Sequence, residues 1–175
     1  VGLGKSMMAT ALAKVFEDDY HTETLVICPK NLVPMWEDYV HRYRLHAKVL
    51  SLSRVINELP EKTRRYRLVL IDESHNLRNK DGKRWKVIRE YIERNESLTV
   101  LLSATPYNKT YLDLSAQLGL FLNEDADIGI RHEHLLKDLG VAHEFIRRHQ
   151  CGVRTLAAYE QSDIPTDWRE LLRLN

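Results

Sequence analysis

The chain has 175 residues, 43% of them hydrophobic and 29% charged, and its 26 Lys and Arg nearly cancel its 25 Asp and Glu. That length suits one domain with a sizeable core, and the balance excludes a grossly basic nucleic-acid sponge or an acidic disordered tail. The longest apolar runs, such as Leu68 to Ile71 and Val100 to Leu102, fall far short of the about 20 residues a membrane span needs.

The chain opens on Val1-Gly2-Leu3-Gly4-Lys5-Ser6, with no initiator Met. A phosphate-binding loop leaves the end of a strand, and no such strand precedes these residues, so the chain reads as a fragment of a longer protein. Residues 5 to 18 read as a helix, with apolar Met8, Leu12, Val15 and Phe16 at three- and four-residue intervals. Thr24 to Cys28 is a nearly continuous apolar run ended by Pro29, the pattern of a strand buried on both faces. Asn31 is placed to cap the next helix, and Pro34 suits its first turn. That helix carries Trp36, Tyr39, Val40 and Tyr43 on one stripe.

Lys48 to Leu52 and Leu68 to Ile71 are the next strands. Residues 83 to 94 form a periodic helix, with Trp85, Ile88 and Ile92 inward and Lys83, Lys86, Arg89 and Arg94 outward. Leu98 to Leu102 is a further strand. Helices are expected over Leu112 to Phe121 and His134 to His149, with no confident strand after them. Strands alternating with helices predict an α/β fold around a mainly parallel sheet sandwiched by helices, with a helical C-terminal extension.

Three short motifs carry chemistry. Gly4-Lys5-Ser6 at a helix start is the tail half of a Walker A loop. Gly lets backbone approach phosphate, Lys neutralises β and γ charge, and the Ser hydroxyl is a hard ligand for Mg²⁺. The helix N-terminus adds partial positive charge. Asp72-Glu73-Ser74-His75 follows the apolar run ending at Ile71, so both carboxylates emerge at a strand's C-terminal end. Asp72 suits Mg²⁺, and Glu73 suits a general base that polarises the attacking water. Ser103-Ala104-Thr105-Pro106 closes the last strand with hydroxyls placed to sense an occupied γ-phosphate position.

In this order the three motifs resemble the helicase-like ATPases of superfamily two, and the wording around them narrows the resemblance to the Swi/Snf-related DNA translocases. Leu25-Val26-Ile27-Cys28-Pro29, with Trp36 downstream, resembles that family's motif Ia. Asp72 to Asn79, with a basic residue and Asn after the His, resembles its extended motif II, and Leu102 to Asn108 its motif III. The resemblance covers residues 1 to about 120. The Ser-Ala-Thr wording departs from the Thr-Gly-Thr usual in eukaryotic remodellers and suggests a bacterial, archaeal or phage-type member.

The resemblance implies a RecA-like ATP-binding lobe over 1–120, truncated at its N-terminus, and a helical extension over 121–175 leading toward a second lobe. It implies ATP and Mg²⁺ as cofactors, with double-stranded DNA and a second RecA-like lobe of the same parent chain as partners. Gly2, Gly4, Lys5 and Ser6 carry over as nucleotide contacts, Ser6 and Asp72 as metal ligands, and Glu73 with Lys5 as the catalytic pair. His75, Ser103 and Thr105 carry over as the coupling between hydrolysis and DNA movement. Pro29, Lys30, Asn108 and Lys109 are candidates for DNA-backbone contact. Arginine fingers would sit in the second lobe, so this chain alone is expected to bind nucleotide poorly and turn it over slowly. A missing central strand would also expose buried edges on both sides of the gap, and the isolated polypeptide is expected to be unstable or to aggregate.

Other features have plainer accounts. The basic stretches Lys62 to Arg67, Arg78 to Arg89 and Arg147-Arg148 suit solvated faces as well as DNA. His132, His134, His143 and His149 match no zinc spacing. Trp36, Trp85 and Trp168 suit core packing better than base stacking, and Cys28 suits inert packing in a strand. Two cysteines make no disulfide scaffold. Together with the absence of a signal-like N-terminus they suggest a cytoplasmic protein, nucleoid-associated if prokaryotic, with no membrane partner. Alternatives to the translocase are an RNA helicase or restriction-type motor lobe, and a non-catalytic interaction module with a vestigial nucleotide site.

Overall fold

A computed structural model describes residues 4–59, 64–105 and 112–123. The chain divides into two compact units, Val1–Phe121 and Leu122–Asn175, and nearly all of the second lies outside the described residues. So do Gly2, Asn108, Lys109, the expected helix over His134 to His149, the later histidines, Arg147-Arg148 and Trp168.

Four strands, β1 (Thr24–Cys28), β2 (Ala47–Ser51), β3 (Leu68–Asp72) and β4 (Leu98–Leu102), pair in parallel in the order β2-β1-β3-β4. Helices α1 (Lys5–Tyr20), α2 (Val33–Arg42), α3 (Val55–Glu58), α4 (Lys83–Asn95) and α5 (Leu112–Leu118) complete the unit. Every residue of β1 and β3 is buried, as expected of inner parallel strands covered on both faces. The two-residue period of a strand splits their side chains between two cores. Leu25, Ile27, Val69 and Ile71 face Val55 of α3 and Trp85, Ile88 and Ile92 of α4. Val26, Cys28, Leu68 and Leu70 face Ala9 and Ala13 of α1 and Trp36 of α2. The mainly parallel sheet between helical layers is the expected fold class.

Several elements differ in detail from expectation. Of the expected stripe Met8, Leu12, Val15 and Phe16, Phe16 packs against the core, whereas the other three do not face the sheet: Met8 is 69% exposed and Val15 52%. Ala9, Thr10 and Ala13 are buried instead, because α1 lies close against β3 and β4, where only small side chains fit. Asn31 does not cap α2. It sits inside a 3₁₀ turn, Lys30–Leu32, and α2 starts at Val33 with Pro34 in its first turn. Arg89 turns inward, its guanidinium lying 5.7 Å from the Trp85 ring centroid and donating to the Gly119 carbonyl. Leu98 is exposed, because β4 is an edge strand among those described. The expected gap inside the sheet is absent among the described residues. Consecutive neighbours are hydrogen-bonded throughout, and the open edges belong to β2 and β4.

Topology places the site. From β1 the chain moves through α2 to β2, whereas from β3 it moves through α4, on the other face, to β4. The C-terminal ends of adjacent β1 and β3 are therefore a point where connections diverge, and such points open a crevice suited to ligands.

Candidate functional site

Residues far apart in sequence line one cleft at that crevice. Gly4, Lys5 and Ser6 come from the start of α1, Leu32, Met35 and Tyr39 from α2 and the turn before it, Asp72 and Glu73 from the end of β3, and Ala104 from beyond β4. The cleft measures about 350 Å³, within the range of small-molecule sites. Gly4 has φ of +71°, a left-handed conformation that a side chain would strain, and among the described residues nothing beyond its own chain neighbours and helix lies within 4 Å of where its Cβ would stand. Its backbone is open to a ligand, and its carbonyl accepts the Met8 N–H at 2.9 Å to close the first turn of α1. The N-terminus of this 16-residue helix directs free N–H groups and partial positive charge at the cleft, beside Lys5.

Opposite stand the carboxylates. Asp72 is buried, and each of its oxygens accepts one hydrogen bond: Oδ1 from the Glu73 N–H at 2.9 Å and Oδ2 from the Trp36 indole N–H at 2.9 Å. Glu73 adopts φ 50° and ψ 47°, a left-handed conformation uncommon outside glycine. It sits at the head of a 3₁₀ turn, Ser74–Leu77, immediately after β3.

Strand β4 reaches back to the same place. His75 Nδ1 lies 3.0 Å from Glu73 Oε2 and 3.3 Å from Ser103 Oγ. Ser103 Oγ accepts the Thr105 N–H at 3.1 Å, and Arg78 Nη2 donates to the Thr105 carbonyl at 2.8 Å. The residues after β3 and those after β4 are thus tied twice, through His75 and through Arg78.

This donor set fits a nucleotide with Mg²⁺. Among the described residues no three or more His, Cys, Asp and Glu converge as a metal cage. Mg²⁺ held with phosphates needs only one or two protein carboxylates, which Asp72 with the Ser6 hydroxyl could supply. Pro29 lies at the mouth of the crevice after β1, with exposed Lys30 beside it.

Other expected features fall elsewhere. Arg64 is paired with Glu23 at 2.7 Å, and Arg65 with Glu96 at 2.9 Å, so these members of the first basic stretch meet acids. Cys28 is wholly buried, and burial, with the charges of Asp72 and Glu37, pushes its thiol up to about 12. Among the described residues no helix is long and apolar enough to cross a membrane.

Sequence reasoning assigned Trp36 to the core and missed its hydrogen bond to Asp72. The nearest signal was its place in the motif Ia wording. Arg78 is the basic residue after the His in the motif II wording, but no local pattern announces its bond to the Thr105 carbonyl.

No family model matches the chain. In sequence it is 23% identical over 143 residues to the SWI/SNF-related matrix-associated actin-dependent regulator of chromatin subfamily A-like protein 1 homolog of Caenorhabditis elegans. In fold it is similar to the Sulfolobus solfataricus SWI2/SNF2 ATPase core in complex with dsDNA, with a TM-score of 0.56 and 19% identity. In sequence and in fold the chain resembles Swi/Snf-related, helicase-like ATPases. The worm match covers 69% of the Swi/Snf-like chain and 20% of the relative, and the archaeal one 91% of the chain and 36% of that structure. The chain therefore spans a minor part of each.

Proposed function

We propose that the chain is the ATP-binding lobe of a DNA-dependent ATPase that moves along duplex DNA. The observation that carries this reading is the shared cleft, where Lys5 and Ser6 at a helix N-terminus face Asp72 and Glu73 at a strand end. Bound Mg²⁺ would supply charge neutralisation at the β- and γ-phosphates. Gly4 and the first turn of α1 receive the phosphates, and Lys5 neutralises the terminal one. Ser6 and Asp72 would hold the metal. Glu73 orients the attacking water and takes its proton. The ties from His75 to Glu73 and Ser103, and from Arg78 to Thr105, relay the state of the γ-phosphate between the ends of β3 and β4.

A nucleic-acid partner is drawn from the archaeal neighbour, which is described in complex with dsDNA. Pro29, Lys30, Asn108 and Lys109 are the proposed backbone contacts, and a second RecA-like lobe of the parent chain closes over the nucleotide and supplies its arginines.

The test is ATP hydrolysis by the full-length protein with duplex DNA, single-stranded DNA, RNA or no nucleic acid. Strong stimulation by duplex DNA, abolished by Lys5→Ala, is the expected result. Stimulation by RNA alone would move the lobe to the RNA-helicase class, and no hydrolysis under any condition would leave a binding module.

A further inference from the structure

Trp36 is completely buried, yet its one polar atom does not point to a backbone carbonyl or to solvent. It meets the carboxylate of Asp72, 36 residues away and on another element, at 2.9 Å. The torsion that rotates a carboxylate plane is soft, so a lone Asp at a strand end samples many orientations. Here both oxygens are engaged, Oδ1 by the Glu73 N–H and Oδ2 by the indole N–H. A carboxylate oxygen has two acceptor directions, so one on each oxygen stays available.

The indole is held in turn. Its ring meets Tyr39 edge-on at 6.0 Å between centroids, and Tyr39 meets Tyr43, the residue that ends the helix, at 6.0 Å. Cleft wall, ring stack and hydrogen bond therefore share one rigid element, α2, with Tyr39 lining the cleft directly. A merely space-filling role could be met by Phe or Leu. Only Trp combines a flat apolar body with a donor and no acceptor, which suits a buried carboxylate.

We infer that Trp36 is a positioning residue that fixes the carboxylate plane of Asp72 through its indole N–H. The inference rests on the nucleotide reading of the cleft, in which Asp72 is a metal ligand. Partners that orient a ligating carboxylate are typically worth about 10- to 100-fold in metal affinity or activity.

The test uses the full-length protein carrying Trp36→Phe, which keeps an aromatic ring beside Tyr39 and deletes the donor. Half-saturating Mg²⁺ for DNA-stimulated ATP hydrolysis is expected to rise about 10-fold, while kcat at saturating Mg²⁺ changes far less. A second readout needs no turnover: the indole ¹H–¹⁵N resonance of Trp36, assigned in the unsubstituted protein by triple-resonance connectivity to the Trp36 backbone. It is expected to shift when Mg²⁺ and a non-hydrolysable ATP analogue are added, and to move upfield in Asp72→Asn, where the charged acceptor is gone.

An unchanged Mg²⁺ dependence in Trp36→Phe, or an indole resonance indifferent to Asp72→Asn, overturns the inference. If Trp36→Phe does not fold, the response of the native indole to Asp72→Asn and to Mg²⁺ decides it alone. Absence of hydrolysis by the unsubstituted protein would instead overturn the nucleotide reading, and this inference with it.

Discussion

The Ser74 hydroxyl donates a 2.7 Å hydrogen bond to Gln117 Oε1, and both side chains are buried. The bond joins the turn that follows β3 to α5, across 43 residues. Beside it the Trp85 indole N–H donates to the Ala116 carbonyl at 2.7 Å, so α5 is fastened to α4 as well. Ser74→Ala removes a buried donor, and losses of this kind cost about 1–3 kcal/mol. The urea midpoint of Ser74→Ala should fall with an unchanged slope, and a midpoint equal to the parent's would show that the bond contributes nothing.

Glu73→Gln keeps the size of the side chain but removes the proposed base. Positioned general bases contribute about 10²- to 10⁴-fold. Single-turnover ATP hydrolysis by the full-length protein should fall within that range while nucleotide affinity stays put. Retention of the parent rate would remove Glu73 from the catalytic set.

Glu17 makes part of the fold sensitive to acid. Burial by itself would raise its carboxyl, but hydrogen bonds from Lys14 and from the backbone and ring of His46, with the Lys14 charge, outweigh it and hold it at about 2 instead of 4.5. Because the folded value is depressed, the unfolded chain binds more protons in this window, and acid favours unfolding. The contribution is complete above about pH 4.5 and is lost as pH falls toward about 2. Urea midpoints across this window should fall less steeply for Glu17→Gln than for the parent, and identical slopes would count against the assignment.

Cys28 should be chemically silent while the protein is folded. Burial first, then the charges of Asp72 and Glu37, push the thiol up to about 12, so almost no reactive thiolate exists near neutrality. In the full-length protein with every other cysteine, Cys151 included, replaced by Ser, a thiol reagent should label Cys28 only on unfolding. Rapid labelling of the native protein would mean that β1 opens locally, because its burial leaves no direct path.

Local patterns were legible in the sequence. Thr24–Cys28 and Leu98–Leu102 have the expected bounds, and α4 presents Trp85, Ile88 and Ile92 inward, because continuous apolar runs and a 3.6-residue period report burial directly. The candidate site was legible for the same reason: Lys5, Ser6, Asp72 and Glu73, which line one cleft, stand out as motif residues from their neighbours in the chain. Periodicity could not say which side of α1 meets the sheet. Its apolar residues form a convincing stripe, but the closeness of β3 and β4 selects Ala9, Thr10 and Ala13.

The sequence by itself determined the alternation of strands and helices and the short motifs on which the proposed phosphate and metal chemistry rests, since each follows from neighbours within a few positions. Tertiary structure alone decided the strand order β2-β1-β3-β4, and with it the crevice between β1 and β3 where the motifs meet. It also decided that Trp36 bonds Asp72, that Arg78 holds the Thr105 carbonyl and that Ser74 is tied to Gln117. Each of those bonds spans 27 to 43 residues. Their existence depends on how parallel strands are threaded, and no periodicity in a one-dimensional pattern encodes a distance between elements that meet only after the sheet has formed.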